Sequence, residues 1–178
     1  MRSLTLGLLT LLLVGCASPG EYGYSRVYSP LDDEQKATAG VREYDPVMAE
    51  RDPKDWKKAR VHLFGVVKAR ADVPGGAYLT LGMRTLAPRN LCDEADEDSC
   101  RVTISAREHA VVHVVVKLRS GDDVGRLSVR PGSLLRVVGG LGDDTDPSDG
   151  GAVLRAEYYR HWPRYFFVTR SAATQMRQ

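Results

Sequence analysis

Short runs of β-branched and apolar residues, separated by glycine, proline and aspartate, set the strongest limit on the fold of this chain. The clearest run covers residues 111–118, where every second side chain is apolar and lies on one face of a strand. These alternating residues are Val112, Val114, Val116 and Leu118. Further runs cover residues 61–70, 77–83, 101–105, 134–139, 152–159 and 165–169. Of these seven runs, five or six are expected to form short strands with little helix between them, which predicts a mainly β fold, either a small barrel or a sandwich.

The order of the runs favours the barrel. Three runs are followed by Pro131-Gly132, a fourth run, a Gly- and Asp-rich loop at 142–151 and a fifth run. This order resembles the OB fold, a five-stranded, partly open Greek-key barrel that binds oligonucleotides or oligosaccharides in other proteins. The resemblance implies an OB-like β-barrel domain over residues 59–170, and we expect the tail at 171–178 to be disordered.

The first sixteen residues carry a targeting signal. Arg2 precedes an apolar run over residues 4–14, which is too short to span a bilayer and ends on small residues before Cys16. This resembles the lipobox of bacterial lipoproteins, in which the cysteine receives a diacylglycerol and the new amino terminus a further acyl chain. The resemblance implies that the signal peptide, residues 1–15, is removed and that Cys16 is lipidated. Ala17, where other lipoproteins carry Asp, favours the outer membrane over the inner one. An ordinary cleaved signal or a buried helix is the alternative, but neither requires a cysteine at this position.

Two cysteines remain once Cys16 is assigned to lipid. Cys92 and Cys100 are eight positions apart and flank the acidic segment 93–99. In an oxidising compartment such a pair predicts a disulfide, which the chain-entropy model credits with about 2–3 kcal/mol. Two reduced thiols or a metal-binding pair are the alternatives.

The segment between the lipobox and the barrel, residues 16–58, is predicted to be a partly helical linker. Ser29-Pro30, Asp45-Pro46 and Asp52-Pro53 each place a capping side chain before proline and predict three short helices, the first over 30–39. As a flexible coil, about forty residues would span on the order of 35 Å. The barrel could therefore stand off the membrane surface.

Length and charge restrict the class of protein further. Without the signal, about 160 residues remain, which suits one domain. The formal net charge over all 178 residues is only +2. A nucleic-acid-binding protein is expected to carry a clustered basic excess, so nucleic acid is not predicted as a partner.

Two histidines and an acidic loop invite metal-site interpretations that the sequence does not favour. On a strand, His109 and His113 would be roughly 13 Å apart, beyond the reach of one zinc ion. Asp144, Asp146 and Asp149 depart from the spacing of a calcium loop and lack its distal Glu. A flexible surface loop is the favoured interpretation, and calcium binding stays open as a lesser alternative.

Motifs of enzymes and cofactor sites are incomplete. Gly140-Leu141-Gly142 partly matches a dinucleotide fingerprint, but the third glycine is missing and Pro147 prevents a following helix. The sequence also contains no Gly-x-Ser-x-Gly motif and no phosphate-binding loop. We therefore predict no cofactor, no metal and no enzymatic activity.

A cluster of aromatic and arginine residues near the carboxyl terminus is the remaining candidate for binding. Its members are Arg155, Tyr159, Arg160, Trp162 and Arg164. Arginine interleaved with aromatic rings can stack on sugars and pair with anionic groups, as barrels of this type do. The favoured interpretation is nevertheless a closing strand with a packed aromatic cap, because half of a strand's aromatic residues face the core, and the binding face is the alternative.

Several short motifs carry one further resemblance. They are Asp52-Pro53 with Trp56, Gly65-Val66-Val67, Pro131-Gly132, Val137-Val138-Gly139 and His161-Trp162-Pro163. Over residues 45–165 they resemble Slp-type outer-membrane lipoproteins, which have a lipid-anchored domain of this barrel type. The disulfide loop and the Asp-rich loop depart from that pattern.

Together these features predict a lipid-anchored cell-envelope lipoprotein at the outer membrane, facing the periplasm. We expect it to act as a structural or protein-interaction module. The alternative is a module that binds glycan or lipid headgroups through the aromatic and arginine face.

Overall fold

The computed structural model describes residues 20–94 and 97–176. The predicted signal peptide and Cys16 lie outside the described residues. Within the described ranges, no helix is long and apolar enough to cross a membrane.

Strands dominate the described part of the chain. They are β1 (Arg42–Glu43), β2 (Arg60–Val73), β3 (Gly76–Arg84), β4 (Val102–Ile104), β5 (Val111–Val116), β6 (Leu134–Thr145), β7 (Ala152–Trp162) and β8 (Phe167–Thr169). The helices are α1 (Asp32–Thr38), α2 (Pro46–Arg51), α3 (Pro53–Trp56) and α4 (Ser120–Asp123), and a 3₁₀ turn covers Arg170–Thr174.

Five of the strands close into a barrel. The sheet order is β1-β2-β3-β5-β7-β6, and β2 also pairs with β6, which completes the ring. The β5–β7 pair is parallel, and the other pairs within the ring are antiparallel. A mixed, closed five-stranded barrel with one additional edge strand confirms the predicted fold class.

The barrel interior is filled by the alternating apolar residues of its strands. Val112, Val114 and Val116 of β5 are buried as predicted, beside Leu79 of β3 and Leu154 of β7. Fully burying a side chain of this kind contributes about 1.5–3 kcal/mol, so this interior is the main source of the barrel's stability.

The segment before the barrel is folded, and the prediction of a flexible stand-off linker is wrong for residues 20–58. Two of the three predicted caps are present. Asp45 Oδ1 accepts from the backbone N–H groups of Val47 and Met48 at 3.0 and 3.1 Å, and Asp52 Oδ1 accepts from that of Asp55 at 3.3 Å. The predicted Ser29 cap is wrong, because α1 begins at Asp32 with Leu31 at its N-cap. Tyr44 and Trp56 are buried in the main core. These rings have too much apolar surface to remain in water, and the barrel offers them a place to pack.

The predicted disulfide is confirmed, whereas the predicted disordered tail is wrong in part. Cys92 and Cys100 form the disulfide. The predicted disordered tail is wrong for residues 171–174, which belong to the 3₁₀ turn that follows β8. That turn is held in place because β8 pairs with β4 in a second, two-stranded sheet.

Candidate functional site

The five predicted binding residues do not share one open surface. Arg155 is exposed and pairs with Asp144, and Arg164 is exposed beside Tyr165. Tyr159, Arg160 and Trp162 are buried instead. The predicted aromatic and arginine face is therefore not open in this structure.

Residues 20–34, which we call the N-terminal strap, cover Arg160 and Trp162. The indole Nε1 of Trp162 donates to the carbonyl oxygen of Tyr22 at 3.3 Å. Tyr28 packs against Trp162 and Phe64 with ring centroids 6.1 and 5.9 Å away. The strap thus completes an apolar cluster on the outside of the barrel.

Glu34, at the end of the strap, lies between two arginines of the barrel. The strand register places Arg136 of β6 directly beside Arg160 of β7, and like charges in this arrangement repel each other. Arg136 Nη1 donates to Glu34 Oε1 at 2.6 Å, and Arg160 Nη1 donates to Oε2 at 2.7 Å. The Glu34 side chain is fully buried. Its carboxylate supplies the negative charge that lets the two arginines lie side by side.

Hydrogen bonds keep the buried Glu34 carboxylate ionised. Burial alone raises its pKa, but hydrogen bonds from Tyr28, Arg136 and Arg160 outweigh burial and hold the pKa below its ordinary value. The Leu31 backbone N–H also donates to Oε2, at 3.1 Å. Burial and the neighbouring carboxylate in turn raise the pKa of Tyr28, which remains a donor. The strap is therefore fixed to the barrel by charge-assisted bonds as well as by aromatic packing.

Ser133, His161 and Asp122 form a hydrogen-bonded line with the residue types of a hydrolase triad. His161 Nε2 lies 3.1 Å from Ser133 Oγ, and His161 Nδ1 lies 2.7 Å from Asp122 Oδ1. Ser133 is fully buried, however, and its Oγ accepts the backbone N–H of Arg130 at 3.3 Å. A nucleophile must reach its substrate, so this geometry does not support acyl transfer.

The same hydrogen-bonded residues attach the connection between β5 and β6 to the barrel. Asp122 Oδ2 accepts from Tyr159 Oη at 2.7 Å and from Arg119 Nε at 2.8 Å. Burial by itself raises the pKa of Asp122, but its hydrogen bonds with His161, Tyr159 and Arg119 lower it to about 2. We infer that the line stabilises the loop. Residues 122, 133 and 161 form no local motif, which is why the sequence did not reveal it.

A groove of about 340 Å³ opens at the end of the barrel where β6 ends and β7 begins. Its apolar lining includes Tyr44, Pro46, Trp56, Val111, Leu141 and Ala152. Helix α2 forms one wall and also exposes Val47 and Met48, which are 56% and 45% accessible. Lys57 Nζ and Asp143 Oδ1, 2.8 Å apart, form an ion pair at its rim. Val47 and Met48 therefore belong to the helix that walls the groove, but they do not line it.

The Asp-rich loop closes over His113 instead of extending into solvent. His113 Nδ1 lies 3.3 Å from Asp146 Oδ2, and His113 Nε2 lies 3.1 Å from Asp149 Oδ2. Hydrogen bonds from Ser148 and Tyr78 lower the pKa of Asp146 to about 2. His109 is exposed and precedes β5, which begins at Val111. The two histidines therefore do not lie on one strand, and the sequence did not pair His113 with the two aspartates.

Comparisons of the chain with protein-family models, with curated proteins and with solved structures find no match. The resemblances to bacterial lipoproteins stay predictions, and the sites described above are interpreted from their geometry.

Proposed function

We propose that the protein is a lipid-anchored envelope protein whose barrel acts as a protein-interaction module at the outer membrane, facing the periplasm. Cys16 directly after an apolar signal supports the anchor, and Ala17 supports outer-membrane sorting. The Cys92–Cys100 disulfide suits an oxidising compartment.

The observation that carries the interaction role is the apolar surface at one end of the barrel. Val47 and Met48 are exposed on α2, the helix that supplies Pro46 to the groove. Exposed apolar side chains on an element that also walls an apolar groove are typical of protein contacts. Binding of glycan or lipid headgroups by the aromatic and arginine face has less support, because the strap covers Arg160 and Trp162.

The fixed strap also determines how far the barrel can lie from the membrane. Only four positions separate Cys16 from residue 20, where the described structure begins. A fully extended chain advances about 3.3–3.6 Å per residue, so residue 20 of the strap would lie within roughly 15 Å of a lipidated Cys16. This short reach replaces the 35 Å stand-off expected for a flexible linker.

The anchor is tested by expressing the full chain in a Gram-negative host and measuring the intact mass of the purified protein. We expect loss of residues 1–15 and the added mass of a diacylglycerol and an acyl chain. Cys16→Ser should release the protein from the membrane fraction. An unacylated wild-type protein, or a Cys16→Ser variant that stays on the membrane with wild-type mass, would contradict the proposal.

The interaction role is tested with a photo-crosslinking amino acid at position 48, in cells with native envelopes. A matched control places it at position 124, because Val124 is 73% exposed but lies in the β5–β6 connection at the other end of the barrel. We expect a discrete crosslinked protein from position 48 that Val47→Asp removes. The absence of a crosslink, or equal crosslinks from both positions, would refute the interaction role.

A further inference from the structure

Each of the two ring nitrogens of His113 has a carboxylate close to it. Its side chain is only 4% exposed, with Asp146 on the Nδ1 side and Asp149 on the Nε2 side. The histidine comes from β5 and the aspartates from the β6–β7 loop. The loop therefore places acidic groups around a buried imidazole instead of leaving them in water.

The polar contacts of His113 direct both of its ring nitrogens at oxygen atoms. Nε2 lies 3.1 Å from Asp149 Oδ2, and Nδ1 lies 3.3 Å from Asp146 Oδ2 and 3.5 Å from the hydroxyl oxygen of Thr80. An imidazole with one N–H donor and one lone pair can donate to Asp149 and accept from Thr80, so hydrogen bonds alone satisfy the ring. An imidazole nitrogen and two carboxylates are also donor groups that first-row metal ions bind.

We propose that His113, Asp146 and Asp149 form a binding site for a divalent transition metal ion, with Zn²⁺ as the simplest probe. The site is independent of the lipid anchor and of the groove, so the proposal does not rest on the proposed function. One imidazole nitrogen with carboxylate oxygens suits Zn²⁺ and its first-row neighbours, whereas Ca²⁺ takes six to eight oxygen ligands.

Distances and supporting contacts fit this donor set. One ligand atom from each of the three residues lies within 4.8 Å of the others. Ligands on one tetrahedral zinc ion, at bonds of about 2.0–2.2 Å, are roughly 3.4 Å apart, so a loop movement of about 1 Å brings them together. Asp149 is the residue best placed to move, since its side chain is 45% exposed.

Neighbouring groups hold both carboxylates in place. Tyr78 Oη donates to Asp146 Oδ2 at 2.5 Å, and the Ser148 backbone N–H donates to Asp146 Oδ1 at 2.8 Å. The Gly151 backbone N–H donates to Asp149 Oδ1 at 2.8 Å. A Cβ at Gly151 would lie 2.9 Å from Asp149 Oδ1, so glycine lets the backbone approach the carboxylate. Such outer contacts orient metal ligands in known sites.

The test is calorimetric titration of ZnCl₂ into the full-length protein, purified in detergent without a histidine tag and stripped with chelator. We expect one equivalent of Zn²⁺ to bind and to raise the Tm. His113→Gln should weaken Zn²⁺ association at least tenfold, and Asp149→Asn should do the same. Co²⁺ in place of Zn²⁺ should give a visible d–d absorption band that both variants lose.

His109→Gln is the matched control, because it removes an exposed histidine just outside the site. It should bind Zn²⁺ like the wild type. If His113→Gln fails to fold, the Asp149→Asn variant tests the metal site instead. Without metal, its Tm and its circular dichroism spectrum should match those of the wild type. Absence of heat and of a Tm change in the wild type would overturn the proposal and leave the three residues as a hydrogen-bonded contact that holds the loop on β5. Equal weakening by His109→Gln would overturn it in favour of surface binding.

Discussion

Glu34 Oε2 lies 2.7 Å from Arg160 Nη1, although the two residues are 126 positions apart in the chain. The contact joins the strap to the seventh strand of the fold, and both side chains are buried. It turns a segment whose composition is typical of a linker into part of the folded domain.

Glu34→Gln is expected to destabilise the protein by about 3–5 kcal/mol, because it leaves Arg136 and Arg160 buried without their counter-ion. Urea unfolding followed by tryptophan fluorescence measures the change. Asp33→Asn is the matched control on the same helix, since Asp33 is exposed and forms a surface ion pair with Lys36 at 3.3 Å. A Glu34→Gln variant as stable as the control would show that the strap is not held by this charge.

Asp122 should contribute to the stability of the protein in a pH-dependent way. Its pKa is about 2 in the folded state against an ordinary value of 3.8, so the unfolded chain takes up a proton first as the pH falls. The stabilisation is therefore complete above the ordinary value and is lost as the pH falls towards 2. Asp122→Asn should flatten the dependence of the unfolding free energy on pH in this range. Asp32→Asn, at an exposed position of α1, should leave the wild-type profile unchanged, and an equal effect of both variants would contradict the prediction.

The disulfide should stabilise the protein by about 2–3 kcal/mol through the short loop that it closes. The double variant Cys92→Ala/Cys100→Ala should lose that amount in urea unfolding and become insensitive to reductant. Thiol titration of the unreduced, denatured wild type should detect neither cysteine. Two titrated thiols would contradict the bond.

Trp56→Ala should destabilise the protein by about 3–5 kcal/mol, as for other large-to-small core substitutions. Its ring is buried against Tyr44, with centroids 6.0 Å apart, although it precedes the first barrel strand. Val47→Ser, on the neighbouring helix but exposed, should change stability little. Thermal unfolding compares the stabilities of the two variants. A small loss of stability in Trp56→Ala would show that residues 46–58 are a linker and not part of the folded domain.

Local patterns allowed much of the fold to be predicted. The alternation of Val112, Val114 and Val116 correctly predicted which face of β5 is buried, because side chains on a strand alternate between its two faces. Asp45 before Pro46 correctly marked the start of α2, because capping depends on neighbours in the sequence.

The contacts between distant residues were not predictable in the same way. Glu34 resembles any exposed acidic residue of a short helix until the barrel places two arginines beside it. His113 lies among valines, and nothing in the sequence shows that the loop with Asp146 and Asp149 folds back over it. The sequence favoured a packed aromatic cap around Trp162 over an open face, and Trp162 is buried. The residues that cover it were not predictable, because they lie some 140 positions earlier in the chain.

The strap and the groove lie at opposite ends of the barrel. Tyr22 contacts Trp162 at the last residue of β7, whereas Ala152 at the first residue of β7 lines the groove. An eleven-residue strand is roughly 35 Å long, at about 3.3 Å per residue. Under the proposed lipidation of Cys16, the groove would open at the end away from the lipid. A partner in the groove would then approach from the aqueous side, without competing with the membrane for the same surface.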